Sequence, residues 1–104
     1  MSKNKYTINY LPSAKKDLDN IISYIPADDP NAALKLLNNI NKSISQLKSF
    51  PFKGKIPEDD HLKSKDYRML IVNNYLIFYM VFENNNEIEI RRIIHGKRKY
   101  KFLL

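Results

Sequence analysis

The chain has 104 residues, 43% of them apolar, which suits one domain with a modest core and excludes compositional disorder. It has no cysteine and only two glycines, so disulfides, thiol nucleophiles, cysteine zinc sites and glycine-rich phosphate loops are excluded. The net charge of +7 is unevenly placed: residues 91 to 104 hold six of the eighteen cations and no acid, while the rest of the chain sets twelve cations against eleven acids.

Tyr6 to Leu11 alternates polar and apolar residues, the pattern of a half-buried strand, and Pro12 ends it. Ala14, Leu18, Ile21, Ile22 and Ile25 then mark one face of a helix that Pro26 stops. Asp29-Pro30 reads as an N-cap followed by proline at the first helical position. Ala33, Leu36, Leu37, Ile40, Ile44 and Leu47 form the stripe of a second helix, so the pair predicts a helical hairpin that needs cover for both stripes. Residues 49 to 66 hold two prolines, a glycine and many charges and read as a long loop with little structure of its own. Tyr67 to Val72, the pair Asn73-Asn74 and Tyr75 to Phe82 predict a tight hairpin, with the second strand central because both its faces are apolar. After the turn Glu83 to Asn86, residues 87 to 95 form the last strand.

The expected order is strand, helix, helix and three strands: an α+β domain over residues 1–104, with a two-helix hairpin packed on an antiparallel sheet. The position of the first strand does not follow from this pattern. The N-terminus lacks the apolar stretch of a secretory signal, and no apolar run reaches transmembrane length, so the expectation is a soluble cytoplasmic protein without membrane contact.

Strict alternation along the last strand puts Ile88, Ile90, Arg92 and Ile94 on one face and Glu89, Arg91, Ile93 and His95 on the other. The isoleucines predict that the first set faces the helices, with Arg92 near an edge or paired. Glu89, Arg91 and His95 are then expected on an open face, successive residues roughly 6.5 Å apart. A basic end of this kind suits a polyanion or an acidic protein segment, or is simply a solvated tail. Metal-free RNA cleavage needs a base, an acid and cations for the developing phosphate charge. His95, Arg91, Arg98 and Tyr100 supply those types within ten residues. Lys53 and Lys55 could contact phosphates or be solvated. Arg68, the one charge in an apolar strand, could pair with Asp66 or Glu89 or face the site. His61 is expected to be exposed, and no metal or cofactor is expected.

The run Tyr67-Arg68-Met69-Leu70-Ile71-Val72-Asn73-Asn74-Tyr75-Leu76-Ile77-Phe78-Tyr79, followed by Ile88-Glu89-Ile90-Arg91-Arg92-Ile93-Ile94-His95-Gly96-Lys97-Arg98-Lys99-Tyr100, resembles the RelE/ParE toxins of type II toxin–antitoxin systems. Pro51-Phe52-Lys53-Gly54-Lys55 and the helical hairpin fit the same family. The resemblance implies two helices on an antiparallel sheet and a cognate antitoxin as partner. RelE-like members cleave mRNA in the ribosomal A site; ParE-like members inhibit DNA gyrase and need no nuclease site. The RelE pattern has an arginine where this chain has Leu76 and a tyrosine where it has Leu104, while Arg98 matches. The leading expectation is a ribosome-dependent mRNA endonuclease, with His95, Arg98, Tyr100 and Arg68 catalytic and Lys53, Lys55, Arg91, Lys97 and Lys99 binding RNA. The alternative is a ParE-like gyrase inhibitor that acts through its C-terminal segment.

Overall fold

The structure is a computed structural model that describes residues 5–97 and 104. Thr7–Tyr10 is β1, Pro12–Tyr24 α1 and Pro30–Ser45 α2, which a 3-10 turn at Gln46–Lys48 extends. Asp60–Ser64 is α3, and Arg68–Val72, Tyr75–Phe82 and Glu87–His95 are β2, β3 and β4. The second helix starts as expected, and the first starts at the proline that was expected only to end the strand. Pro12 ends the strand and also opens α1, and the Asp29 carboxylate accepts the Ala32 amide at 3.3 Å ahead of Pro30. Asn73 takes the left-handed φ of 54° that the two-residue β2–β3 turn demands of one residue.

The four strands make one sheet in the order β1-β4-β3-β2. β2, β3 and β4 are antiparallel neighbours, with β3 inside as expected. β1, which the sequence pattern left unplaced, lies at the edge parallel to β4, pairing Thr7 with Glu87 through Tyr10 with Ile90. It covers only the first half of β4. Beyond Ile90 the edge passes to α1: the Leu11 amide donates to the Ile90 carbonyl, and the Ser13 hydroxyl to that of Arg91.

Ala14 and Ile21 of α1 and Leu36, Ile40 and Ile44 of α2 are buried in one cluster with Leu70, Val72, Ile77, Tyr79, Ile88, Ile90 and Ile93 of the sheet. Burying each such side chain stabilises by about 1.5–3 kcal/mol, and this face carries most of the hydrophobic gain. The opposite sheet face is not open. Leu62, Tyr67, Met69, Phe78 and Ile94 form a second buried cluster there, with Leu76, Met80 and Leu104 packed against it.

That cover corrects the reading of residues 49–66 as nearly structureless. Asp59 caps α3 by accepting the Leu62 amide, and Leu62, fully buried, anchors α3 to the sheet. Lys55 exchanges two backbone hydrogen bonds with Met69, adding one residue pair to the outer edge of β2.

Candidate functional site

The geometry of the site depends on a bulge in β4. Phe78 pairs with Arg92 and Tyr79 with Ile90, so Arg91 is an extra residue in the ladder. A one-residue insertion exchanges the faces of everything after it. Ile88, Ile90 and then Ile93 therefore lie under the helices, while Ile94 packs in the second cluster. The expectation of a single face holding Glu89, Arg91 and His95 is corrected by this exchange. Arg91 pairs with Glu89 and lies over the Tyr67 ring, 5.8 Å from its centroid. His95 is opposite Tyr75, with ring centroids 5.3 Å apart and nearly perpendicular.

Asp17 of α1 secures the strand just past the bulge. Its carboxylate is buried and accepts the Arg92 guanidinium at 2.7 and 2.9 Å, and the Ile93 amide at 2.9 Å. It thereby fills the edge position that β1 leaves vacant. The bond to Asp17 holds Arg92 above its ordinary range against the opposing effect of burial. The pairing expected for Arg92 is thus observed. For Arg91, burial works against the charge, but Glu89 and Tyr67 outweigh it and also shift the group upward.

A groove of about 880 Å³ runs between α1 and this end of β4, lined by Asp17, Asn20, Tyr24, Tyr75 and His95 among others. The Lys97 amide donates to Nδ1 of His95 at 3.2 Å. This contact engages one ring nitrogen of His95 at the mouth of the groove.

Arg68 is not at this site. It pairs across the sheet with Tyr79, whereas His95 pairs with Tyr75, four residues away along β3 or about 13 Å. Its guanidinium donates to the carbonyls of Phe52 at 3.2 Å and Gly54 at 2.8 Å, and it lies 4.8 Å from the centre of the Phe52 ring. Neither Asp66 nor Glu89, the partners considered from sequence, holds it. Tyr79, fully buried beside it, donates its hydroxyl proton to Pro51 and accepts the Gly54 amide. Lys53 and Lys55 are exposed on this same segment, with the Lys53 ammonium donating to the Gln46 side chain. His61 is exposed, as expected. Arg98, Lys99 and Tyr100 lie outside the described residues.

Burial raises the Tyr79 phenol above its ordinary range, and the Gly54 amide and the Arg68 charge offset part of the rise. A raised folded value means that this contribution to stability is complete below about pH 10 and is lost as pH climbs through the folded value. Tyr79→Phe is expected to be less stable at pH 8 by about 1–2 kcal/mol, through the two lost hydrogen bonds. The gap between the two proteins in Tm should shrink above pH 10. A gap that stays constant to pH 11 would contradict the coupling.

Sequence reasoning missed Asp17 and Tyr75. Asp17 has a visible signal: it lies three residues after Ala14 and four before Ile21, a charge set within an apolar stripe. Among the described residues no group of three or more His, Asp or Glu side chains could hold a metal ion, and no helix is long and apolar enough to cross a membrane.

A family model described as the ParE toxin of type II toxin–antitoxin system, parDE, matches residues 8–100. The chain belongs to the ParE toxin family. Over 97 residues the toxin is 27% identical to a Sinorhizobium fredii protein named "Putative toxin Y4kP", covering 93% of this chain and 95% of that one. Its fold is shared with a chain of the chromosomal ParDE system of P. aeruginosa, with a TM-score of 0.71 at 22% identity, over 91% of the toxin and all of that chain. A chain of the RelBE2 toxin–antitoxin complex of Mycobacterium tuberculosis aligns with a TM-score of 0.62 at 18% identity, over 88% of the toxin and 98% of that chain. A chain of the intact E. coli RelBE complex gives 0.59 at 11%, over 89% and 99% respectively. The toxin thus has the ParE/RelE fold, with its helices and sheet in the expected order.

Proposed function

We propose that the toxin arrests growth by binding DNA gyrase and does not cut mRNA, and that a cognate antitoxin neutralises it. Its contact is the end of β4 with the groove beside it, together with the basic residues Lys97, Arg98 and Lys99 and the aromatic Tyr100. The observation that carries this reading is how the arginines among the described residues are engaged. Arg68 is held by backbone carbonyls, Arg91 by Glu89 and Arg92 by Asp17, and Nδ1 of His95 accepts the Lys97 amide. A nuclease of the expected kind needs guanidinium groups free to meet the developing phosphate charge. A binding surface needs only directed donors, aromatic area and positive charge. The leading expectation from sequence was mRNA cleavage; the geometry favours the alternative. The match to the ParE family model supports the same choice, and the solved toxin–antitoxin complexes that share the fold support an antitoxin partner. Gyrase as target puts the site of action in the cytoplasm.

His95→Gln tests the reading in cells, because glutamine keeps a side-chain N–H donor but cannot exchange a proton near neutral pH. The variant is expected to arrest growth within about threefold of the wild-type inducer dose, with double-strand DNA breaks and intact mRNA. Codon-positioned mRNA cuts by the wild type that disappear in the variant would overturn it.

A further inference from the structure

The second sheet face holds a residue from beyond β4. Leu104 is half-buried and packs, with Leu76 and Met80, against the buried cluster that contains Phe78 and Ile94. The chain also leaves β4 from a fixed point. The Gly96 amide donates to the Asn74 carbonyl at 2.8 Å, and the Lys97 amide to Nδ1 of His95 at 3.2 Å. Arg98, Lys99 and Tyr100, assigned above to the target contact, therefore lie in sequence between two points held on the sheet. Residues 97 to 101 carry Lys97, Arg98, Lys99 and Lys101 and no acid. A run of like charges repels itself and extends into water when one end is free. Leu104 on the sheet opposes that extension, because apolar burial draws the chain back to the same domain. Holding both ends of a stretch removes conformations that a free end would lose only on binding, so part of the ordering cost is met when the toxin folds.

We infer that Leu104 is a positioning residue: it anchors the stretch after β4 to the second sheet face and so keeps the basic residues near the end of β4 where His95 lies. Leu104 acts through the chain and does not itself meet the target. Its effect on activity rests on the reading that these basic residues make the contact; the anchoring does not.

The test compares the full-length wild type with Leu104→Ser, Leu104→Met and Val81→Ala, the last a partly buried residue packed against the other core cluster. Limited digestion of the folded proteins with trypsin, read by mass spectrometry, reports cuts after Lys97, Arg98, Lys99 and Lys101. Leu104→Ser is expected to be cut there at least tenfold faster than the wild type, with a Tm no lower than that of Val81→Ala. It should also need at least tenfold more inducer to arrest growth at equal soluble protein. Leu104→Met keeps an apolar side chain of similar volume and should match the wild type in both assays. Equal cleavage of Leu104→Ser and wild type would overturn the anchor. Faster cleavage with unaltered growth arrest would overturn the positioning role. Equal changes in Val81→Ala would reduce the effect to stability and overturn both. Purified gyrase that the wild-type toxin leaves active would overturn the gyrase reading alone, since digestion and growth arrest do not depend on the target's identity.

Discussion

Asp17→Ala is expected to destabilise the toxin by about 3 kcal/mol, the lower end of the cost of breaking a buried ion pair. The carboxylate is 7% exposed and its partner Arg92 18%. Removing it takes from the Arg92 guanidinium its two bonds to the carboxylate and leaves the Ile93 amide without this acceptor. A domain of this size has a total stability of about 5–15 kcal/mol, so such a loss removes a large fraction of it. Tm should fall by roughly 12 °C or more. Asp17→Asn keeps an oxygen for the Ile93 amide and loses only the charge, so its cost should be clearly smaller. Thermal unfolding of the three proteins at pH 7 measures this. Equal stability of Asp17→Ala and wild type would show that the edge of β4 is held by something other than this carboxylate. The same substitution loosens the wall of the groove beside His95, so activity should fall with stability.

Gly54→Ala is the second large effect, expected at about 2–3 kcal/mol by overpacking and loss of a buried hydrogen bond. The residue has an ordinary φ, so the need for glycine is one of space. A Cβ there would lie 2.6 Å from the Tyr79 hydroxyl and 2.9 Å from the Met69 carbonyl. Tyr79 is fully buried and Met69 is in the sheet, so neither moves cheaply. Gly96→Ala is the matched control, since its nearest contact would be an ordinary 3.4 Å from the Asn74 carbonyl. The urea midpoint should drop sharply for the first and hardly at all for the second. Two equal midpoints would mean that the loop is not clamped as described.

The helices were legible because their apolar stripes and caps are local signals: Asp29-Pro30 and the spacing of Leu36, Ile40 and Ile44 are found as read. The β2–β3 hairpin was legible from Asn73-Asn74 for the same reason. What failed was the assumption of unbroken alternation in β4. The doubled Arg91-Arg92 followed by the doubled Ile93-Ile94 is the trace of the phase break, visible once a bulge is considered. Arg68 was not legible, because its acceptors are backbone carbonyls 14 and 16 residues upstream and no side-chain pattern reports them. The parallel pairing of β1 with β4 joins the two ends of the chain, and alternation within a strand carries no information about its neighbour. The cover of the second sheet face was hidden by the prolines and charges around Leu62.

These differences bear on mechanism. Had alternation held, His95 and Arg91 would share a face and a phosphate could sit between them. The bulge puts them on different faces.

Supercoiling of relaxed plasmid by purified gyrase, with purified toxin added and no ribosomes present, tests the central claim most directly. Dose-dependent inhibition that a His95→Gln toxin retains within about threefold is the expected result. Full supercoiling at a large molar excess of folded toxin, with cleavage of mRNA once ribosomes are supplied, would contradict it.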